Sequence, residues 1–273
     1  MTIYYRRIRD VFINVHVSEQ LSPACVSKID IILNGFAKGL PQINAAKHTI
    51  DLFLGAQKCI YEGGENITIS ESNMHWAFEL IQALEEHMVR ALDCTAVHGT
   101  CLAMSNESFM IVGPRMSGKT TLTRTLLGFD SVKLVGDDVI CLLDDCVVGL
   151  GTPLLLRSGE DIVDGERFIT IDDEGRERFL FHANASQLPT RWPNYLVFPQ
   201  YNADCPPEIC QMSPGDVFRN LMQNIRHHNT IQRLKEDVLR LANTPAYSIK
   251  YPSQQAAMML LRQKIPCMRR ALT

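Results

Sequence analysis

The stretch Gly113-Pro114-Arg115-Met116-Ser117-Gly118-Lys119-Thr120, with Thr121 behind it, decides how the rest of the chain is read. It fits G-x-x-x-x-G-K-[ST], the phosphate-binding P-loop. Gly113 and Gly118 let the backbone turn where a side chain would clash, so successive N–H groups can converge on an anion. The helix expected next adds its positive N-terminal end. Lys119 then reaches the outer phosphates, and the Thr120 hydroxyl suits magnesium. Gly113, Pro114, Arg115, Met116, Ser117, Gly118, Lys119, Thr120 and Thr121 are therefore the expected nucleotide-binding residues.

The flanks have the order such a loop needs. Ser108-Phe109-Met110-Ile111-Val112 reads as a strand entering it, and Thr121-Leu122-Thr123-Arg124-Thr125-Leu126-Leu127 as a helix leaving it, ended by Gly128. A chance glycine-rich turn would not need either. Upstream, residues 96–104 read as another strand, turned by Ser105-Asn106-Glu107 into the first. The strand feeding the loop thus gains an antiparallel partner, which predicts a mixed sheet. His98 sits in that partner strand, where a lone histidine is usually structural.

Downstream, Val132-Lys133-Leu134-Val135 reads as a strand running into Gly136-Asp137-Asp138. Adjacent carboxylates near a phosphate loop have a chemical use: one holds magnesium, and the other accepts a proton from an attacking hydroxyl. Asp144-Asp145 reads instead as a hairpin tip between Cys141-Leu142-Leu143 and Cys146-Val147-Val148, with Cys141 facing Cys146. Arg157 ends the apolar run Leu154-Leu155-Leu156 and is either a surface cap or a phosphate clamp.

The remaining elements follow from period and punctuation. Residues 11–17 and 49–54 read as strands, and a helix from Ser22-Pro23 runs through Phe36. Glu62-Gly63-Gly64-Glu65 predicts a hairpin between 59–61 and 66–69. Trp76, Leu80, Leu84, Met88 and Leu92 recur at helical spacing. Residues 168–171 and 178–181 form a second hairpin around Asp172-Asp173-Glu174-Gly175. Tyr195-Leu196-Val197-Phe198 is a strand broken by Pro199. Ser213-Pro214-Gly215-Asp216 caps a helix through Val217, Leu221 and Ile225, with His227 and His228 near its end. A helix over 231–241, a strand over 245–251 and a helix over 253–263 complete the chain. The partition is a small α/β domain over residues 1–92, which either recognises a substrate or supports the fold, and a nucleotide-binding catalytic domain over 93–273.

Composition limits the partners. The chain has 273 residues, 46% hydrophobic and 21% charged, with a net charge of −3 and a pI near 6.2. That balance gives no general attraction to nucleic acid. No apolar run approaches ~18 residues and the first residues lack the apolar core of a signal peptide, so no membrane association and a cytoplasmic location are expected. Nine cysteines without a C-x-x-C pair read as thiols rather than as zinc ligands.

In its order of motifs the sequence resembles the HPr kinase/phosphorylase family, which shares the P-loop fold of ATP-dependent phosphoenolpyruvate carboxykinase. The matching pieces are Val97-His98-Gly99, residues 113–121 and Leu134-Val135-Gly136-Asp137-Asp138, with Leu196-Val197-Phe198-Pro199, Met212-Ser213-Pro214 and Pro245-Ala246-Tyr247 in the tail. The resemblance covers residues 95–265. It implies an α/β fold with a mixed-sheet P-loop domain and makes Asp137 the base. Thr120 and Asp138 become the magnesium ligands, His98 a neighbour that tunes Asp137, and Arg157 a phosphate contact beside Lys119. It also implies ATP and magnesium as cofactors and assembly into a homo-oligomer. Two departures stand out: Leu154-Leu155-Leu156-Arg157-Ser158-Gly159 lacks the glutamate of the family's Glu-x-Arg-Gly signature, and the family's long amino-terminal domain is replaced by a shorter one. Short relatives phosphorylate a serine of a precursor peptide.

The expected activity is transfer of the γ-phosphoryl group of ATP to a hydroxyl, with serine of a peptide or small protein as acceptor. A small-molecule hydroxyl kinase and a nucleotide-binding switch module are the alternatives. A carboxykinase is disfavoured, because the chain is short and shows no second basic cluster.

Overall fold

Alternation in Val11-Phe12-Ile13-Asn14-Val15-His16-Val17 puts every second valine or isoleucine on one strand face, and Val15 and Val17 are buried. The computed structural model describes residues 2–8, 11–34, 37–38, 48–55, 65–68, 75–104, 107–144, 146–151, 154–156, 168–172, 174–181 and 190–271. β1 (Thr2–Ile8) pairs antiparallel with β2 (Val11–Val17). α1 (Pro23–Asn34) follows and buries Ile29, Ile32 and Leu33. β3 (Ala37–Lys38) pairs with β1; β4 (His48–Gly55) runs parallel to β2, and β5 (Glu65–Thr68) parallel to β4. β5 pairs with β4; the hairpin predicted between 59–61 and 66–69 has its first strand and the turn residues 62–64 outside the described residues. α2 (Trp76–Ala91) buries Trp76, Leu80, Leu84 and Met88, the face its four-residue spacing predicts.

The centre of the larger sheet is β6 (Thr95–Met104), which is antiparallel to β7 (Glu107–Val112) as predicted. β7 leads through residues 113–118 into α3 (Lys119–Leu127). β8 (Val132–Gly136) and β9 (Val139–Leu142) then pair with successive halves of the other β6 edge: Met104↔Val132 through Cys101↔Gly136, then His98↔Val139 through Thr95↔Leu142. They are one long strand interrupted at Asp137-Asp138. β10 (Val147–Gly149) returns antiparallel to β9. Its register sets Cys141 opposite Val148 rather than Cys146, because Leu142 pairs with Val147 and the Leu143 N–H donates to the Cys146 carbonyl across the tip. Gly149 crosses β8 so closely that a Cβ on it would lie 2.0 Å from the Val135 carbonyl oxygen and 2.4 Å from Gly136 Cα.

β11 (Leu154–Leu156), β12 (Phe168–Ile171) and β13 (Glu177–Phe181) form a separate antiparallel sheet in the order β11-β13-β12. The predicted hairpin at 172–175 joins β12 to β13. Asp172 holds its turn by accepting from the Glu174 and Arg176 N–H groups and pairing with Arg178 at 2.5 Å.

β14 (Tyr195–Tyr201) lies between β7 and β17, parallel to both. Pro199 does not break it. The Leu196 N–H donates toward the β17 side and the Tyr201 N–H toward the 113–118 loop. In a parallel ladder alternate residues face alternate edges, so Pro199 shares Tyr201's edge, beyond the last β7 pairing at Val197↔Ile111. The missing N–H falls where the ladder has no acceptor for it. β15 (Glu208–Gln211) edges the sheet. α4 (Pro214–Met222) starts at the Ser213 cap, whose hydroxyl accepts from the Asp216 N–H, with Pro214 in the first turn. This helix stops at Met222; Ile225, expected to extend it, begins β16 (Ile225–His227), antiparallel to β6. α5 (Ile231–Ala242), β17 (Ala246–Tyr251), α6 (Gln254–Lys264) and α7 (Pro266–Ala271) complete the chain.

The main sheet runs β10-β9-β6-β7-β14-β17-β15, with β8 and β16 also on β6. It is mixed, as predicted. On one face Val97, Cys101, Met110, Val112, Leu196 and Phe198 pack under Val217 and Leu221 of α4 and Leu234, Val238 and Leu241 of α5. The alternate residues Leu102, Phe109, Ile111 and Val197 are also fully buried, on the face covered by α3 and α6.

The chain divides into two units, residues 1–92 with 150–182 and residues 93–149 with 183–273. One boundary falls at 92/93. The other departs from a contiguous 93–273 domain: the β11–β13 segment groups with the first unit, because its contacts run to α2. Among the described residues no helix is long and apolar enough to cross a membrane.

Candidate functional site

The loop between β7 and α3 is held in shape by its own backbone and by two tyrosines. Met116 (φ 70°) and Gly118 (φ 97°) both take left-handed conformations. At Gly118 glycine is required twice over, since a Cβ would sit 2.3 Å from Tyr251 Oη. Tyr251 Oη donates to the Gly118 carbonyl at 3.3 Å, and the Tyr201 N–H donates to the Ser117 carbonyl at 3.0 Å. Carbonyls are thus drawn away to the β14–β17 side. α3 begins at Lys119 with no side chain capping its first N–H groups, and Ser117 Oγ is buried without a hydrogen-bond partner among the described residues. A helix start of this kind favours an anion. Lys119 is buried and folded back, its Nζ donating to the Gly113 carbonyl at 2.7 Å and the Pro114 carbonyl at 3.0 Å. Pro114, Arg115 and Met116 are exposed, and Thr120 is half-buried in the first helical turn.

The acid pair sits where β8 gives way to β9. Asp138 has φ 62°, and the Gly99 N–H donates to its carbonyl at 3.2 Å. A left-handed residue breaks the alternation of the pleat. Two successive carboxylates can then face the same side, where two β6 residues of equal parity meet them. His98 Nδ1 is 2.8 Å from Asp138 Oδ1, and Thr100 Oγ1 donates to Asp137 Oδ1. His98 therefore neighbours Asp138 rather than Asp137, and the group that touches Asp137 is Thr100. His98 Nε2 is buried without a partner among the described residues. A bare nitrogen lone pair is cheaper to bury than an orphaned N–H, which assigns the proton to Nδ1, donating to Asp138.

The two carboxyls are driven apart in proton affinity. Burial pushes Asp137 up, and the charge of Asp138 adds to this; the Thr100 hydrogen bond and Lys119 oppose it, leaving a value of about 6. Burial acts on Asp138 in the same sense, but the hydrogen bond from His98 and the cations Arg226 and Lys119 outweigh it. Asp138 therefore stays below the ordinary carboxylate range. Adjacent carboxyls separated in this way are suited to different tasks, one to take a proton and one to stay charged.

Lys119, His98, Asp137 and Asp138 thus come together on β6 and the segments beside it. Arg157 lies outside the described residues. Two members of the cluster escape the sequence. Thr100 was available as the residue two positions after His98, on the same strand face. Arg226 carried no local signal, because 217–225 reads as one helix; β16 brings it to the site, with Nη2 3.1 Å from His98 Nδ1 and 3.6 Å from Asp138 Oδ1. Asp144 is structural, as its hairpin position suggests. Arg233 pairs with it at 2.8 Å, and Arg240, stacked 3.9 Å over Trp192, donates to its carbonyl.

Among the described residues no group of three His, Cys, Asp or Glu is arranged to hold a metal. Asp138 and Thr120 each offer an oxygen of the kind magnesium takes from a protein, a carboxylate and a hydroxyl.

No family model matches the chain, and no curated protein matches it. Among solved structures it is similar to the Hpr(Ser) kinase/phosphatase from Coxiella burnetii, at 13% sequence identity and a TM-score of 0.31, over 64% of this chain and 98% of that one.

Proposed function

We propose that the chain is an ATP-dependent kinase that transfers the γ-phosphoryl group to a hydroxyl, with serine of a peptide or small protein as the acceptor. The observation that carries this reading is the acid pair at the break between β8 and β9, Asp137 held by Thr100 and Asp138 by His98, beside a loop whose Lys119 opens a helix.

The residues divide the work as follows. The loop N–H groups, the start of α3 and Lys119 bind the nucleotide phosphates, Lys119 exchanging its two carbonyl partners for phosphate oxygens. Asp137 accepts the acceptor's hydroxyl proton. At neutral pH it is mostly ionised, yet more basic than an ordinary aspartate, which favours proton transfer. The hydroxyl oxygen forms its bond to the γ-phosphorus as the bond to the bridging oxygen breaks, and that electron pair leaves with ADP. Thr100 fixes the orientation of Asp137, and Asp138 stays charged. Magnesium, held by Asp138 and Thr120, would supply neutralisation of charge on the phosphate oxygens.

The test is incubation with γ-labelled ATP and a panel of serine-containing peptides. Label on a peptide is expected; label appearing only as free phosphate across a broad panel would refute the reading.

A further inference from the structure

We propose that Arg226 is a second phosphate-binding cation, which turns from Asp138 and His98 to the phosphoryl group as it is transferred. This rests on the kinase reading above.

Arg226 reaches the site through β16, a strand of three residues whose only ladder among the described residues is with β6. The register shifts between Ile225 and His227, and such a bulge re-aims the side chain it carries. The His98 N–H donates to the Asn224 carbonyl at 2.7 Å, so the strand is anchored at the histidine that borders the acid pair.

The hold on the guanidinium itself is loose. Its side chain is 45% exposed, and only Nη2 meets described residues. The contact to Asp138 at 3.6 Å is an ion pair beyond hydrogen-bond distance. The contact to His98 Nδ1 is repulsive or absent when that nitrogen donates to Asp138. Arg233 shows what a structural arginine looks like here: it bonds Asp237 at 3.1 Å, Asp144 at 2.8 Å and the Leu142 carbonyl at 3.4 Å, joining α5 to the β9–β10 tip. Among the described residues Arg226 meets only Asp138 and His98, both through Nη2. A planar fork of donors, most of its N–H groups unused among the described residues and its near edge beside the Asp138 carboxylate, matches the oxygens of a phosphoryl group. Lys119 is the other cation acting on Asp138. Charge spread over three oxygens in transit is commonly met by more than one cation.

The experiment titrates a fluorescent ADP analogue into wild type, R226A and R226K at a magnesium concentration that saturates wild type and again at a higher one, with and without aluminium fluoride, which mimics the phosphoryl group in transit. Wild type is expected to bind at least about tenfold tighter with fluoride. R226A should keep ADP affinity within about threefold and lose the fluoride enhancement, binding no more than about twofold tighter with fluoride than without, with partial recovery in R226K. A full enhancement in R226A overturns the proposal and leaves the kinase reading standing. So does a variant whose enhancement returns when magnesium is raised, since Arg226 would then act only by positioning Asp138. Wild type that binds no ADP, or binds it without enhancement, overturns the kinase reading and this inference together.

Discussion

Replacing Asp137 with asparagine should stabilise the unit that carries it. The carboxyl is raised from 3.8 to about 6 by burial, so the folded state binds its proton about two units more tightly than the unfolded chain does. At about 1.4 kcal/mol per unit this is a penalty of about 3 kcal/mol once the group is ionised in both states. The sign follows from the direction of the shift. Below about pH 4 the carboxyl is protonated folded or unfolded, and it costs nothing. Between about 4 and 6 the unfolded chain loses its proton first and stability falls; above about 6 the whole penalty is present. Asparagine has nearly the same shape, keeps an oxygen to accept from Thr100 and carries no charge. The variant should therefore match wild type near pH 4 and exceed it by about 3 kcal/mol at pH 8. Urea unfolding followed by circular dichroism across that range reads both the size and the pH dependence. A variant no more stable than wild type at pH 8, or one offset by the same amount at every pH, would refute the account of a buried, strained base. Its phosphoryl transfer should be lost in the same preparation.

Two further outcomes are expected. With labelled ATP and an accepted peptide, kcat/KM should rise about tenfold per pH unit below about 6 and level off above about 7, as the base loses its proton; a flat profile between pH 5 and 8 would remove Asp137 from that role. Gly149→Ala should cost more than about 3 kcal/mol, because the added carbon would lie 2.0 Å from the Val135 carbonyl oxygen, and a thermal melt within a few degrees of wild type would show that β8 and β10 can separate cheaply.

What the sequence displays is what is coded by neighbours. The 113–120 loop, its strand and its helix are contiguous, and so are the β6–β7 hairpin, the Ser213 cap and the strand before Asp137. Each rests on contacts over a few positions. The failures concern partners distant along the chain. Val217, Leu221 and Ile225 keep helical spacing, yet Ile225 pairs with Val97, a choice made by the open edge of β6 and not by local propensity. Pro199 ends a strand only where its edge is paired, and the edge is decided by where β7 stops. His98 and Asp138 were both visible as residues; that they touch each other depends on one left-handed backbone angle, which an aspartate adopts uncommonly and no spacing rule foretells.

The ten residues of β6 are bonded along one edge to β8 and β9 and along the other to β7 and β16. During synthesis these edges close at different times. β7, β8 and β9 emerge within about forty residues of the strand, and their loops are short enough to close early. β16 emerges far later, once α4 has formed. Until then the edge at Ala96 and Val97 is open, a template on which another strand could add. A chain halted before residue 225 would carry the loop, the acid pair and His98, but with a sticky edge in place of Arg226. The same three-residue strand that completes the charge around Asp138 therefore also seals the nascent sheet against association.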